Sequence, residues 1–185
     1  MSYEIYCYKS ALGEPDVEEA HSVIEVDEER PVFVRTELKT SLANALIEFD
    51  PTLEKFEFDY EKIAKQRNIT LDEAKIQYSH IELNTPLDAL SVQIEIFDDN
   101  VAISTPYWYS GDEAKSTFAK IDEYTKVIHQ IAGYFVYDPQ TERVFDPSTS
   151  HLTDISTYTD TTKKVRQIGS ELQKKSEKKL WWKFW

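Results

Sequence analysis

The sequence predicts an α+β fold with a mostly antiparallel sheet, packed helices, and a C-terminal helix followed by an aromatic tail. The prediction rests on three observations: short segments with period-two alternation, longer segments with apolar residues at helical spacing, and turn residues that join neighbouring strands directly. The 185 residues are 41% hydrophobic and 13% aromatic, which suffices for a packed core, and they include only four glycines. The length fits one domain with a tail or two small domains.

The first part of the chain carries both kinds of pattern. Residues 3–9 alternate and are rich in Tyr and Ile, which predicts a strand, and Pro15 with the acidic residues after it predicts the start of a helix. Residues 36–49 have apolar side chains at helical spacing and predict an amphipathic helix. Residues 53–60 alternate aromatic and charged side chains, which predicts a half-buried strand, and residues 60–67 follow as a short helix.

The middle of the chain predicts one helix and three strands. Residues 70–73 read Thr-Leu-Asp-Glu, which fits a capping box that begins a helix ending near Tyr78. Strands are predicted at residues 81–83, 90–97 and 101–105, and Asp98-Asp99-Asn100 forms the turn between the last two.

The longest predicted helix follows a second capping box at residues 110–113, with Ser110 as the cap. Its predicted inner face consists of Ala114, Phe118, Ile121, Ile128 and Ile131, and Gly133 ends it. Residues 134–145 predict a hairpin around an Asp-Pro-Gln-Thr turn. A last helix is predicted from residue 159 to about residue 178, with a narrow apolar stripe.

Charge divides the chain into two predicted regions. Residues 1–159 hold 13 basic and 31 acidic side chains, a net charge of −18, whereas residues 160–185 carry +5, within a total of −13. We therefore predict an acidic α+β domain over residues 1–158, and a basic helix with a Trp-rich tail over residues 159–185. An acidic body argues against nucleic-acid binding, although this exclusion is weaker for the basic tail.

The lack of a recognisable targeting signal and the single cysteine favour a cytoplasmic location. No apolar run reaches the roughly 18 residues of a membrane span, and the N-terminus lacks the pattern of a signal peptide. Cys7 is the only cysteine, so no internal disulfide forms, and we expect it to be a small core residue.

Motifs that carry catalysis or bind cofactors are absent from the sequence. The chain has no glycine-rich phosphate loop and no nucleophile elbow. His21, His80, His129 and His151 lack metal-ligand spacing, so neither a metal ion nor another cofactor is expected, and no residue is assigned as catalytic. The acidic residues at 98–99 favour a turn over a calcium loop.

Three consecutive aromatic residues, Tyr107, Trp108 and Tyr109, form the first candidate binding segment. They cannot all face one side of a strand, so at least one lies near the surface, where Tyr and Trp often act as binding hot spots. The alternative, which the pattern favours, places Trp108 in the core and the two tyrosines over the sheet edges.

The second candidate segment is the end of the chain, with Trp181, Trp182, Phe184 and Trp185. Leaving these rings in water would cost roughly 1.5–3 kcal/mol each relative to burial. They therefore dock on the protein's own body, on a partner protein, or on an anionic membrane surface.

Residues 133–147, which include Tyr-Phe-Val-Tyr-Asp-Pro-Gln-Thr, and the Trp-rich ending resemble small bacterial proteins that are grouped as domains of unknown function. That resemblance implies no catalytic residues. The small size, acidity and predicted fold also resemble those of immunity proteins that neutralise bacterial toxins, an analogy of composition only.

These observations favour a non-catalytic module that binds a basic protein partner, in one version a toxin such as a nuclease. One alternative is a hydrolase whose site assembles from dispersed residues, for example His80 or His129 with Asp98 or Asp99. Another is a peripheral membrane protein held by the tail. The oligomeric state stays open.

Overall fold

The structure is a computed structural model that describes residues 2–24, 36–86, 89–152, 156 and 158–164. Within these residues seven strands form one sheet; they are β1 (Ser2–Tyr8), β2 (Glu54–Lys55), β3 (Ile81–Asn84), β4 (Gln93–Ile96), β5 (Asn100–Pro106), β6 (Phe135–Asp138) and β7 (Arg143–Phe145). Their order in the sheet is β2-β3-β4-β5-β1-β6-β7, and every neighbouring pair is antiparallel. The predicted α+β fold with an antiparallel sheet is confirmed.

The helices of the described residues are α1 (Val17–Ile24), α2 (Thr36–Phe49), α3 (Tyr60–Arg67), α4 (Leu71–Gln77) and α5 (Asp112–Ala132), and residues 158–164 are also helical. Helices α2 and α5 contact each other and the sheet, whereas α1 contacts β1 and β7. The sheet therefore has helices packed against both of its faces.

Alternation along β1 separates two apolar clusters. Tyr3, Ile5 and Cys7 belong to the larger cluster, in which the sheet packs against Leu46 of α2 and Phe118 of α5. Tyr8 belongs to a second cluster with Ala20 of α1 and with Phe135 and Tyr137 of β6. Successive strand residues point to opposite faces, so these clusters lie on opposite sides of the sheet. Helix α1 covers the second face at its β1–β6 end.

Most local patterns predicted their elements correctly. The bounds of α2 and α3 match the predicted helices, and the capping box between Thr70 and Glu73 is present in full. Gly133 ends α5 in a left-handed conformation, φ 68°, and its N–H donates to the carbonyl oxygen of His129. This conformation has little cost for glycine and a larger cost for other residues.

The half-buried strand predicted over residues 53–60 is wrong. Register pairing with β3 is limited to Glu54 and Lys55, with one more backbone hydrogen bond from the N–H of Phe56 to the carbonyl oxygen of Glu82 at 2.9 Å. The side chain of Phe56 is 49% exposed, so the alternation does not define a buried face. The Asp59 side chain instead accepts a hydrogen bond from the N–H of Lys62, which caps α3 and ends the extended segment.

Two details predicted for α5 are also wrong. Gly111, at φ 59°, is the N-cap and makes no side-chain capping bond, so Ser110 is not the cap. Ile131 is 44% exposed, while Tyr124 is fully buried. The inner face of α5 therefore includes side chains with a polar end, such as Tyr124, which a pattern of purely apolar residues does not predict.

Residues 158–164 pack on the acidic body. Tyr158 is fully buried and Thr162 is 2% exposed. The predicted domain boundary after residue 158 stays a prediction, and the remainder of the predicted last helix, with Trp181, Trp182, Phe184 and Trp185, lies outside the described residues.

Candidate functional site

The aromatic segment lies in the connection between β5 and α5. Tyr107 and Tyr109 are each 8% exposed, whereas Trp108 is 64% exposed. The alternative that placed Trp108 in the core is therefore wrong, because the two tyrosines take the inward positions. The prediction that at least one of the three aromatic side chains lies near the surface is confirmed, and that side chain is Trp108.

Hydrogen bonds and ring contacts hold the residues on both sides of Trp108. The hydroxyl of Tyr109 accepts a hydrogen bond from the backbone N–H of Ser91 at 2.5 Å. The backbone N–H of Tyr109 donates to the hydroxyl of Tyr158 at 3.1 Å. The Tyr158 hydroxyl donates in turn to the carbonyl oxygen of Pro106 at 2.6 Å. The ring of Tyr107 stacks on that of Tyr158, 5.4 Å between centroids. The turn is thus fixed in place, and Trp108 projects from it.

Carboxylates follow the exposed ring closely along the chain. Asp112 and Glu113 form the first turn of α5, and the Asp112 side chain is 98% exposed. It forms an ion pair with Lys115 at 3.4 Å, and because both side chains are exposed this pair contributes little to stability. An exposed indole followed by solvated carboxylates suits a cationic group, since a cation is attracted by both.

A second cluster lies on the sheet face opposite α2 and α5, at β3 and β4. Glu82 of β3 is the register partner of Glu95 of β4, and His80 lies two residues before Glu82, on the same face. One ligand atom from each of these three side chains lies within 4.8 Å of the other two. A histidine and two carboxylates are a possible ligand set for a divalent metal ion.

Burial shifts the pKa values of His80 and Glu95 in this cluster. The Nε2 atom of His80 lies 3.7 Å from Oε1 of Glu95, and the two side chains are 10% and 33% exposed. Burial lowers the pKa of His80, although the charge of Glu82 acts against this shift. Burial and the charges of Glu82 and Glu4 raise the pKa of Glu95.

The other histidines have polar partners of their own. His129 contacts the carbonyl oxygen of Tyr134 through Nδ1 at 2.8 Å and lies 3.6 Å from Asp146. His151 lies 3.0 Å from Asp122, and His21 lies 2.6 Å from the hydroxyl of Tyr137. The carboxylates beside His80 and His129 are therefore Glu95 and Asp146, and not the aspartates at 98 and 99 that the hydrolase hypothesis considered.

A cavity of about 480 Å³ lies on the β6–β7 hairpin and is open to solvent. It is lined in part by Asp138, Arg143 and Leu152, and its lining includes no histidine among the described residues. The Asp138 carboxylate accepts hydrogen bonds from Tyr3 and Thr141, so its role is to join the hairpin to β1. The described part of the cavity lining therefore offers no histidine–carboxylate pair.

Two further expectations are confirmed. Cys7 is fully buried in the main core, and burial raises the pKa of its thiol, so it lacks the exposure of a nucleophile. Residues 98–99 form the turn between β4 and β5, where the N–H of Phe97 donates to the carbonyl oxygen of Asn100 at 2.9 Å.

The cluster of His80, Glu82 and Glu95 was not predicted. Its only signal in the sequence is a His-x-Glu alternation at the start of a predicted strand, with a glutamate in the next strand. The pairing register of two short strands is needed to bring them together, and a shift of one residue would place Glu95 on the other face.

Comparison with protein-family models, with curated proteins and with solved structures gives no match for this chain. The resemblances in the hairpin, the tail and the composition therefore stay predictions. Among the described residues, none of the helices has the combined length and apolarity that crossing a membrane requires.

Proposed function

We propose that the protein is a non-catalytic binding module for a basic protein partner, with Trp108 as the centre of the contact. The observation that carries the proposal is the 64% exposure of Trp108 between two tyrosines that are only 8% exposed. A tryptophan on a turn fixed by hydrogen bonds offers a large contact area and loses little conformational entropy on binding.

Charge supports a basic partner. Residues 1–159 carry −18, which attracts basic proteins and speeds their encounter. At short range, an Arg or Lys side chain of the partner would lie over the indole of Trp108 and pair with Asp112 or Glu113. Neutralisation of a basic toxin, such as a nuclease, is one version of this function and uses the same chemistry.

Site-specific photocrosslinking in the native host tests the proposal. A photoreactive amino acid replaces Trp108 in the full chain, and a matched control carries it at Leu12, which is 67% exposed and remote in sequence. We expect one prominent adduct from position 108, with a basic protein, and none from position 12. No adduct at either position, or the same adducts at both, contradicts the proposal.

Affinity measurements with the purified partner complete the test. Trp108→Ala is expected to weaken binding by at least about tenfold, as for a hot-spot residue, while Leu12→Ala leaves it unchanged. Equal affinities for both variants would place the contact elsewhere, even if a crosslink had formed.

The Trp-rich tail remains a separate prediction with its three possible docking places. Deletion of residues 176–185 lowers the melting temperature of the isolated protein if the tail docks on its own body. Loss of binding to anionic liposomes on deletion would instead support membrane docking. If the deletion changes neither property but weakens binding of the partner, the tail belongs to the partner interface.

A further inference from the structure

We propose that His80, Glu82 and Glu95 bind a divalent transition-metal ion, with Zn²⁺ as the representative, on the β3–β4 face of the sheet. The site involves none of the residues of the Trp108 contact, so it stands independently of the proposed function. It supplies three protein ligands from two neighbouring strands.

The geometry of the sheet sets the ligands. Glu82 and Glu95 face each other across β3 and β4, and His80 shares their face because side chains alternate along a strand. The three ligand atoms lie within 4.8 Å of one another. Ligands about 2.0–2.2 Å from a tetrahedral zinc ion lie roughly 3.3–3.6 Å apart. Metal binding would therefore bring the ligand atoms closer together by up to about 1.5 Å.

His80 is a largely covered polar group that makes no hydrogen bond within the described residues. Its side chain is 10% exposed, and its Nε2 atom faces Oε1 of Glu95 at 3.7 Å, which is too long for a hydrogen bond. The imidazole makes no hydrogen bond to any other described residue, although its ring packs against Phe58 and Phe97 at centroid distances of 4.9 and 5.1 Å. A metal ion between the three side chains would give the Nε2 atom a partner.

Among the described residues, neither of the two carboxylates has a Lys or Arg partner. Like charges directly opposite each other destabilise a sheet, and no Lys or Arg of the described residues forms an ion pair with Glu82 or Glu95. The ammonium of Lys39 is engaged with Asp98 at 2.9 Å and with the carbonyl oxygen of Ser79 at 2.8 Å. A divalent ion between the glutamates would replace their repulsion with attraction to both.

A neighbouring amide orients one of the ligands. The Nδ2 atom of Asn84 donates to Oε1 of Glu82 at 2.7 Å, which is the kind of contact that positions metal-binding carboxylates. One imidazole with two carboxylates suits zinc and its neighbours among the transition metals better than Ca²⁺ or Mg²⁺, which prefer oxygen ligands alone. Three protein ligands also leave a coordination position for water or another molecule.

The test uses the full chain, stripped of metal with a chelator and then titrated with ZnCl₂ in a calorimeter. The ligand variants are His80→Gln and Glu95→Gln, and the matched control is His151→Gln, since His151 is a 58% exposed histidine that also lies beside a carboxylate. We expect one equivalent of Zn²⁺ in the wild type and in the control, and at least about tenfold weaker binding in both ligand variants.

Imidazole ¹⁵N chemical shifts show which histidine binds the ion, because the chain has only four. A shift of the His80 Nε2 signal on zinc addition supports the site. The proposal is overturned if the wild type binds no zinc, if both ligand variants bind as the wild type does, or if the signals that move belong to other histidines. Circular dichroism checks that each variant is folded, and Glu82→Gln replaces either variant that is not.

Discussion

Asp50 connects the end of α2 to the middle of α5, and replacing it with alanine is expected to destabilise the protein strongly. Asp50 is 8% exposed, and its carboxylate accepts hydrogen bonds from the hydroxyl of Tyr124 at 2.5 Å and from that of Thr52 at 2.6 Å. It also pairs with Lys120 at 2.7 Å. The substitution removes all three partners of the carboxylate at once.

The magnitude follows from what each partner loses. The fully buried hydroxyl of Tyr124 is left without its acceptor, at a cost of about 1–3 kcal/mol. The Lys120 side chain is 32% exposed and regains water, so its share is about 1 kcal/mol or less. Together these give about 3 kcal/mol, or roughly 6–12 °C in melting temperature for a chain of this size. Tyr124→Phe leaves Asp50 with its other partners and costs about 1–2 kcal/mol.

The effect of Asp50→Ala also depends on pH. Burial alone would raise the pKa of Asp50, but hydrogen bonds from Lys120, Thr52 and Tyr124 outweigh burial and hold it well below its ordinary value. The unfolded chain therefore binds more protons than the folded one at acidic pH, and the contribution of Asp50 to stability is lost as the pH falls.

Urea unfolding at pH 7 and at about pH 3.5 measures both effects. We expect wild type and Asp50→Ala to differ by about 3 kcal/mol at pH 7 and by less at the lower pH. Glu57→Ala is the control, since the side chain of Glu57 is 84% exposed, and it should change stability by less than about 0.5 kcal/mol. A difference below 1 kcal/mol for Asp50→Ala, or one that does not change with pH, would refute the reasoning.

Three further predictions concern single residues. Glu95→Gln is expected to stabilise the metal-free protein by about 0.5–1 kcal/mol at pH 7, because it removes one of two opposed charges. The pKa of Glu95 is raised in the folded protein, so this gain in stability disappears below the ordinary pKa of a glutamate. Urea unfolding at pH 7 and at about pH 3.5 measures the difference. Gly133→Ala places a side chain at φ 68° and should cost about 1 kcal/mol in the same assay, with an unchanged value arguing against the left-handed conformation. Cys7 is fully buried with a raised thiol pKa, so a thiol reagent should modify it only as fast as the protein unfolds, and rapid labelling of the native protein would contradict this.

The sequence predicts the helices well because their signals are local. The helix over residues 36–49 is defined by apolar spacing within its own span, and Thr70 and Glu73 of the capping box are three residues apart. The strand over residues 53–60 shows the limit of this reasoning. Its alternation is as regular as that of β1. The strand nevertheless ends early, because register pairing with β3 stops at Lys55, a last backbone bond joins Phe56 to Glu82, and Asp59 caps the next helix.

The candidate sites depend on contacts that local patterns do not contain. Trp108 is exposed because Tyr107 and Tyr109 pack inward, and Tyr158, which holds both, lies 49 residues after Tyr109. His80 meets Glu95 only in the observed register of β3 and β4. In each case the sequence indicates the residue types, and the long-range pairing determines which of them meet.

The position of β1 in the sheet has a consequence for how the protein is made. This strand pairs with β5 on one side, where Ser2 lies opposite Pro106, and with β6 on the other, where Tyr8 lies opposite Phe135. At about 5–20 residues per second, a ribosome needs on the order of ten seconds to pass from the first strand to the last of its partners. Until β5 has been made, β1 has neither neighbouring strand, and until β6 follows it has only one. We therefore expect chaperones that shield unpaired strands to bind the nascent chain during this interval.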